Sequence, residues 1–260
     1  MPQEPKVNLP TVGIVIPCYN MGDTIHIAVD SIIEQDYPQK CIIIVDDGSI
    51  DDSWTKITAL VPDVEISKDD KDNYLFAGIK HGTSIYGIKL AQHTNQCNAK
   101  NVGIQSVGHN VNIFGFLDAD DYYLPGKISK SVIEFLDNPE VIGLVYSDYY
   151  VDIDGCDIPQ FLRSFDRQDI YNTHYNYHSF FVSAVILNKI GLFDISLPIF
   201  ENYDILLRAA EHSILIHIPE QLATIKVNNK GVLSQAPPHI HQGYINQVLA
   251  RAQQRNNAKI

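Results

Sequence analysis

The sequence predicts an α/β fold: a mostly parallel central sheet flanked by helices, in a single domain. Three observations predict it. Apolar runs rich in valine and isoleucine recur at residues 11–17, 41–45 and 111–117. They are too continuous for strands with one wet face and suit strands covered on both. A helical stretch separates the first two runs, which is the order of a βαβ unit. The chain has 260 residues, 45% of them hydrophobic, enough to bury one sizeable core.

Each element follows from its local pattern. The run TVGIVIP at residues 11–17 is the first strand, followed by Cys18, Tyr19 and Asn20. Residues 24–35 are a helix, because Ile25, Ala28, Val29, Ile32 and Ile33 recur at helical spacing. The run CIIIV at residues 41–45 is the second strand and ends in Asp46, Asp47, Gly48 and Ser49. A short helix follows at residues 53–60, then a charged turn at 68–73. Residues 74–93 mix glycine with aromatics (Tyr74, Phe76, Gly78, Gly82, Tyr86, Gly87) and read either as strand and loop or as an insertion over the site. The third strand, residues 111–117, runs into an acidic turn. Residues 127–138 are a helix with Ile128, Val132, Ile133 and Phe135 as its apolar positions. A strand at 141–151 leads to a hairpin turn at 152–155. Residues 201–211 are helical with Ile205, Leu206 and Ala209 facing inward, and a polar helix near residues 242–254 closes the chain.

Polar clusters end all three buried strands. In open parallel sheets, ligands bind outside the carboxyl ends of the strands. After the third strand come Asp118, Asp120 and Asp121 within four residues. Carboxylates so crowded repel one another, and a cation offsets the repulsion. The Asp-x-Asp spacing puts alternate side chains on one side of an extended segment. Hard oxygen donors in that arrangement suit Mg²⁺ or Mn²⁺. The competing reading is a solvated acidic turn before Pro125. Asp47 can accept from a base N–H or a ribose hydroxyl; the competing reading has it capping the helix at 53–60 with Ser49 or Asp51.

The motifs IVIPCYN, VDDGS and FLDADDYYLP, in that order and spacing, resemble the inverting family 2 glycosyltransferases of the GT-A fold. The resemblance covers residues 11–229. It implies a GT-A (Rossmann-like) domain with a nucleotide-binding half at 11–125 and a smaller acceptor-side subregion at 126–229, between a lead-in at 1–10 and a helical tail at 230–260. It implies transfer of a sugar from a nucleotide-diphosphate sugar, UDP-sugar foremost, to a carbohydrate or lipid-linked hydroxyl acceptor. Pro17 and Tyr19 would line the nucleotide pocket, Asp47 would contact the base, and Asp118 the ribose or the metal shell. Asp120 would ligate the divalent cation, Mn²⁺ or Mg²⁺, bridging the phosphates.

The chain departs from that family at three positions. Lys100 stands where an arginine is usual, keeping the charge without the planar fork. Asn202 stands where the catalytic carboxylate is usual, and a carboxamide has no useful basicity. Glu201 or Asp204 would then serve as base, Glu201 favoured because it lies just before the helix. Asn228 replaces a metal-side histidine and offers a carbonyl oxygen, acceptable to a hard cation. A second function class therefore stands beside the enzyme: a catalytically impaired, glycosyltransferase-like nucleotide-binding protein. A nucleotidyltransferase is disfavoured, since no Gly-rich, Lys/Arg-bearing loop follows the first strand.

Composition narrows the partners. A net charge of −12 argues against nucleic acid and against an anionic membrane surface. Cys18, Cys41, Cys97 and Cys156 are scattered and read as ordinary thiols of a reducing compartment. No apolar run reaches the ~20 residues of a membrane span, and no signal peptide is evident. The expectation is a cytoplasmic place, free or peripheral to a membrane. His174 and His178 read as packing or surface residues, and His239-x-His241 as having no acidic partners nearby in sequence.

Overall fold

A computed structural model describes residues 9–137, 141–166, 178–227 and 237–257. The expected βαβ unit opens it: β1 (Val12–Cys18), α1 (Ile25–Ile33) and β2 (Lys40–Asp46). The two strands run parallel from Val12↔Lys40 to Cys18↔Asp46. Every residue of β1 is buried. Alternate side chains feed two cores, Val15 on one face of the sheet and Ile14 and Ile16 on the other. This explains the continuous apolar run.

After α2 (Ser53–Ala59), the ambiguous Gly/aromatic stretch proves to be a hairpin. A short β3 (Ser67–Lys68) precedes β4 (Tyr74–Lys80) and β5 (Thr83–Lys89), and β5 lies parallel against β2. His81 and Gly82 both take positive φ at its turn, 48° and 80°, which matches the right-handed twist of the strands. Then come α3 (Gln96–Val107), β6 (Ile113–Phe116) and β7 (Tyr122–Tyr123). The second half contributes α4 (Lys127–Asp137), β8 (Ile142–Ile153), β9 (Cys156–Gln160), β10 (Phe180–Ser183), α5 (Ala184–Ile190), α6 (Glu201–Ala210), β11 (Ile214–Lys226) and α7 (Pro238–Asn257).

Among the described residues the strands form one sheet in the order β3-β4-β5-β2-β1-β6-β10-β8-β11-β7, with β9 on β8. The expectation of a mostly parallel sheet describes its core, β5-β2-β1-β6. It gives way on both flanks, where β4 and β10 run antiparallel to their neighbours. The order β2-β1-β6 sets the carboxyl ends of these three strands side by side. It is these ends that carry Asp47, Tyr19 and Asp118.

Two local expectations are corrected. Ile133, read as an apolar face position of α4, is 57% exposed. Ile128, Val132 and Phe135 are buried; one further residue rotates the side chain about 100° out of that stripe. Glu201 is the first residue of α6, as the helical reading of 201–211 has it and not just before the helix, because Phe200 adopts φ 63° and turns the chain into the helix there.

Lys127, at the start of α4, is fully buried, and among the described residues no carboxylate pairs with it. Its Nζ donates to Ser147 Oγ at 2.7 Å and to the Ser179 carbonyl at 3.3 Å, 5.5 Å from the Phe181 ring centre. Burial lowers its pKa to about 7. An unfolded lysine stays protonated up to its ordinary value, so between pH 7 and 10.5 the unfolded chain holds the extra proton. This group's contribution to stability therefore rises with pH across that window and is at its worst below it. Lys127→Met is expected to raise the unfolding free energy below pH 7 by about 1–4 kcal/mol, as for other replaced buried charges. The gain over wild type should shrink as pH rises toward 10.5. Urea titrations across pH check this; a gain independent of pH overturns it.

Candidate functional site

The end of β2 is built around two buried carboxylates. The Asp47 backbone N–H donates to the Cys18 carbonyl at 2.8 Å, which fixes the carboxylate beside the last residue of β1. Asp47 Oδ1 accepts from the Thr94 backbone N–H at 3.0 Å and from its hydroxyl at 2.7 Å. Oδ2 lies 2.9 Å from His93 Nδ1, but without the alignment of a hydrogen bond. Burial pushes the Asp47 carboxyl up, opposed by Thr94 and His93. Asp46 is likewise raised by burial, opposed by Ser49 and by Lys89, whose Nζ is 3.9 Å away. Asp47 thus does not cap α2. Asp51 receives the Ser53 N–H at 3.0 Å, and Ser49 ties the two loops by accepting the Asn20 N–H at 2.9 Å.

Tyr19 sits at the mouth of this pocket, 38% exposed. Its ring stacks on His93 with centroids 3.8 Å apart and planes 19° apart. Pro17 is buried within β1, beyond the last β1–β6 pair, Val15↔Phe116. A residue without an N–H costs no β6 ladder bond there. Cys18 beneath is no nucleophile: burial and then the Asp46 charge push its thiol up to about 12. Among the described residues all four cysteines are free thiols, three buried and Cys156 exposed.

The acidic turn begins just past β6. Asp118 and Asp120 are half-buried and Asp121 is buried. Asp121 Oδ1 accepts the Lys226 backbone N–H at 2.8 Å, tying the turn to the end of β11. Burial, then the charges of Asp120 and Asp118, hold the Asp121 carboxyl well above the usual range. Three carboxylates are therefore crowded at one sheet edge with their mutual repulsion visible in Asp121. Among the described residues no three His, Cys, Asp or Glu side chains form a complete metal-holding group. Asp118 and Asp120 supply two hard oxygen donors, and the local excess of negative charge fits a divalent cation completed by a ligand's phosphates. Asn228 lies outside the described residues, as does His174.

The third part of the site is buried ion pairing at the start of α6. Lys100, on α3 and 1% exposed, donates to Glu201 Oε1 at 2.8 Å and to Asn202 Oδ1 at 3.2 Å. Burial works against its charge, but Glu201 and then Asp118 outweigh that and hold its pKa above the lysine range. Asp204 instead meets Arg208, at 2.8 Å from Nε and 2.7 Å from Nη2. Arg208 also donates to the carbonyls of Ile190, Gly191 and Leu192, so this pair clamps α6 to the end of α5. His178 is half-buried by exposed area yet deep in the fold. Desolvation lowers its pKa, while Asp118 and Glu201 pull it up. It packs edge-on to Tyr149 with centroids 5.6 Å apart. His241, near the start of α7, meets Phe200 edge-on at 5.9 Å.

The structure therefore brings Pro17, Tyr19 and Asp47 together on one side and Lys100, Asp118 and Glu201 on the other, along adjoining strand ends. Sequence reasoning missed His93 and Thr94. The signal was available: they follow β5, the parallel neighbour of β2, and so fall at the same sheet edge.

A sheet of this order, flanked by helices and with polar residues at the carboxyl ends of its parallel strands, defines a GT-A type of α/β fold. Solved structures share it. S. aureus TarS in complex with UDP-GlcNAc matches with a TM-score of 0.70 at 14% identity, over 93% of this chain and 66% of that one. The mannosyltransferase PcManGT from Pyrobaculum calidifontis, in complex with GDP-Man and Mn²⁺, matches at 0.62 and 16% identity, over 97% of this chain and 76% of that one. The chain belongs to glycosyl transferase family 2, whose model matches residues 13–184. Among curated relatives, Escherichia coli WfaP, a UDP-Glc:alpha-D-GlcNAc-diphosphoundecaprenol beta-1,3-glucosyltransferase, is 31% identical over 74% of this chain and 66% of its own length. A Rickettsia prowazekii glycosyltransferase is also 31% identical, over 75% of this chain and 57% of its own. The chain thus spans less than two thirds of the length of these relatives.

Proposed function

We propose that this glycosyltransferase moves a sugar from a UDP-sugar to a hydroxyl acceptor, with inversion and with a divalent metal. The observation that carries the reading is the adjacency of the three strand ends, which sets Tyr19 and Asp47 beside Asp118 and Asp120, with Glu201 of α6 joined to them through Lys100. Tyr19 stacks the base and Asp47 accepts its ring N–H. Asp120 and Asp118, with the carbonyl oxygen of Asn228, would hold Mn²⁺ or Mg²⁺. A cation there would neutralise charge on the departing diphosphate. Glu201 takes the proton of the acceptor hydroxyl as it attacks the opposite face of the anomeric carbon, and that single displacement inverts the centre. Lys100 holds Glu201 in place through a 2.8 Å ion pair and adds positive charge near Asp118. Asp204 serves the fold through Arg208. The nucleotide half is 11–125, the acceptor half 126–229, with the tail beyond.

WfaP's lipid-linked substrate supports an acceptor of that kind here, and a place peripheral to a membrane. Among the described residues no helix is long and apolar enough to cross one. A second reading, a nucleotide-binding protein without turnover, is favoured by one observation: both candidate bases carry cation partners, Lys100 and Arg208. A thermal-shift screen of nucleotide-sugars with and without Mn²⁺, followed by a UDP-release assay, separates the two. Stabilisation by UDP-sugars with Mn²⁺ and UDP release support the enzyme; stabilisation without release in the presence of lipid-linked and soluble sugar acceptors favours the binding protein. No stabilisation by any nucleotide overturns both.

A further inference from the structure

We propose that His93 gates the nucleobase slot: its imidazole occupies the place of a base on Tyr19 and against Asp47, and the donor enters by displacing it. The inference rests on the nucleotide-sugar reading above. Aromatic pairs in proteins ordinarily sit with centroids about 4.5–7 Å apart. The Tyr19–His93 pair, at 3.8 Å and 19°, is a close face-to-face stack, and no third ring fits between. A base can stack on this face of Tyr19 only after His93 has left.

The polar contact points the same way. Thr94 occupies Asp47 Oδ1 with two hydrogen bonds, at 3.0 and 2.7 Å. Oδ2 is the oxygen left to a ligand. It is buried, has no hydrogen bond among the described residues, and faces His93 Nδ1 at 2.9 Å. The His93 ring nitrogen also lies 3.1 Å from the Asp47 carbonyl. A five-membered ring stacked on Tyr19 with a nitrogen at this carboxylate imitates a pyrimidine ring N–H at the same spot.

The local backbone lets the side chain leave alone. Gly48 has φ +72°, and a Cβ there would come within 2.6 Å of His93 N and 2.8 Å of the Gln92 carbonyl carbon. The loop is thus seated on Gly48, whereas the His93 side chain is 47% exposed. Rotation about χ1 clears the slot. The entering ring must then replace both the stack and the donor at Oδ2. Uracil does so with its ring N–H. Cytosine presents an acceptor at that ring position and does not. That choice belongs to Asp47; the cost of displacing His93 falls on both bases alike.

The test is calorimetric titration of UDP and CDP, with Mn²⁺, into the full chain and its His93→Ala variant, with ¹H–¹³C spectra of the histidine rings in the wild type. A slot open about a tenth of the time costs about tenfold in apparent affinity, so His93→Ala is expected to bind UDP about three- to tenfold tighter. CDP should gain by the same factor, since the closed slot is closed to both. The wild-type His93 ring resonances, displaced by the Tyr19 ring current, should move to ordinary positions on UDP saturation. Equal or weaker UDP binding by the variant, or unmoved His93 resonances while UDP binds, overturns the gate alone. Failure of both proteins to bind UDP overturns the nucleotide reading, and the gate with it.

Discussion

Asp120→Ala is expected to abolish Mn²⁺-dependent binding of UDP while leaving the protein folded. Asp120 lies in the turn just past β6 and is half-buried, so its removal opens no core cavity. Electrostatics favours the variant's stability. After burial, the Asp120 charge does most to raise the buried Asp121 carboxyl. Deleting it eases that repulsion, and the thermal midpoint without ligand should stay level or rise. Binding should move the other way. A carboxylate that holds the cation directly is worth more than the roughly 10–100-fold of an outer-shell partner. Calorimetry with UDP should therefore show a Mn²⁺-dependent increment in wild type and none in the variant. An unchanged increment would overturn the metal assignment. A midpoint that falls by many degrees would show instead that Asp120 belongs to the fold.

What was legible in the sequence follows from how local each signal is. The βαβ unit was plain because β1 and β2 are buried on both faces, so their runs are continuous, and α1 repeats its apolar residues within one helix. The strand ends carried their polar clusters openly, which made Tyr19, Asp47 and Asp118 visible before their adjacency was known. The β4–β5 hairpin stayed ambiguous because Gly78 and Gly87 break the alternation. The structure shows why they are there: a Cβ on Gly87 would lie 2.0 Å from the Phe76 ring. The antiparallel flanks were hidden, since the pairing of β10 with β6 and β8 joins segments far apart in sequence. Asp204 and Arg208 stand four apart on one helix, a pair the spacing offered. The Arg208 bonds to three carbonyls after α5, which make the pair a clamp, depend on tertiary packing. The partnership of Lys100 with Glu201 has the same origin.

Glu201→Gln is expected to cut kcat by about 10²–10⁴-fold with little change in donor affinity, the cost of losing a positioned general base. Its buried ion pair with Lys100 complicates the reading, because stranding a buried charge typically costs about 3–5 kcal/mol. Glutamine limits that loss. It keeps an acceptor oxygen for Lys100 Nζ, and Asn202 Oδ1 already supplies another at 3.2 Å. The variant should remain folded at assay temperature, which a denaturation curve verifies, and should bind UDP with Mn²⁺ as wild type does. Asp204→Asn is the control with the opposite signature. It weakens the Arg208 clamp and should lower the thermal midpoint, while the folded fraction keeps turnover within a few-fold. Should Asp204→Asn lose transfer and Glu201→Gln keep it, Asp204 is the base and the Arg208 pair must open during the reaction. Should both variants turn over like wild type in an active protein, the proton leaves by another route. The pairing of Lys100 with Glu201 would then be a strut between α3 and α6.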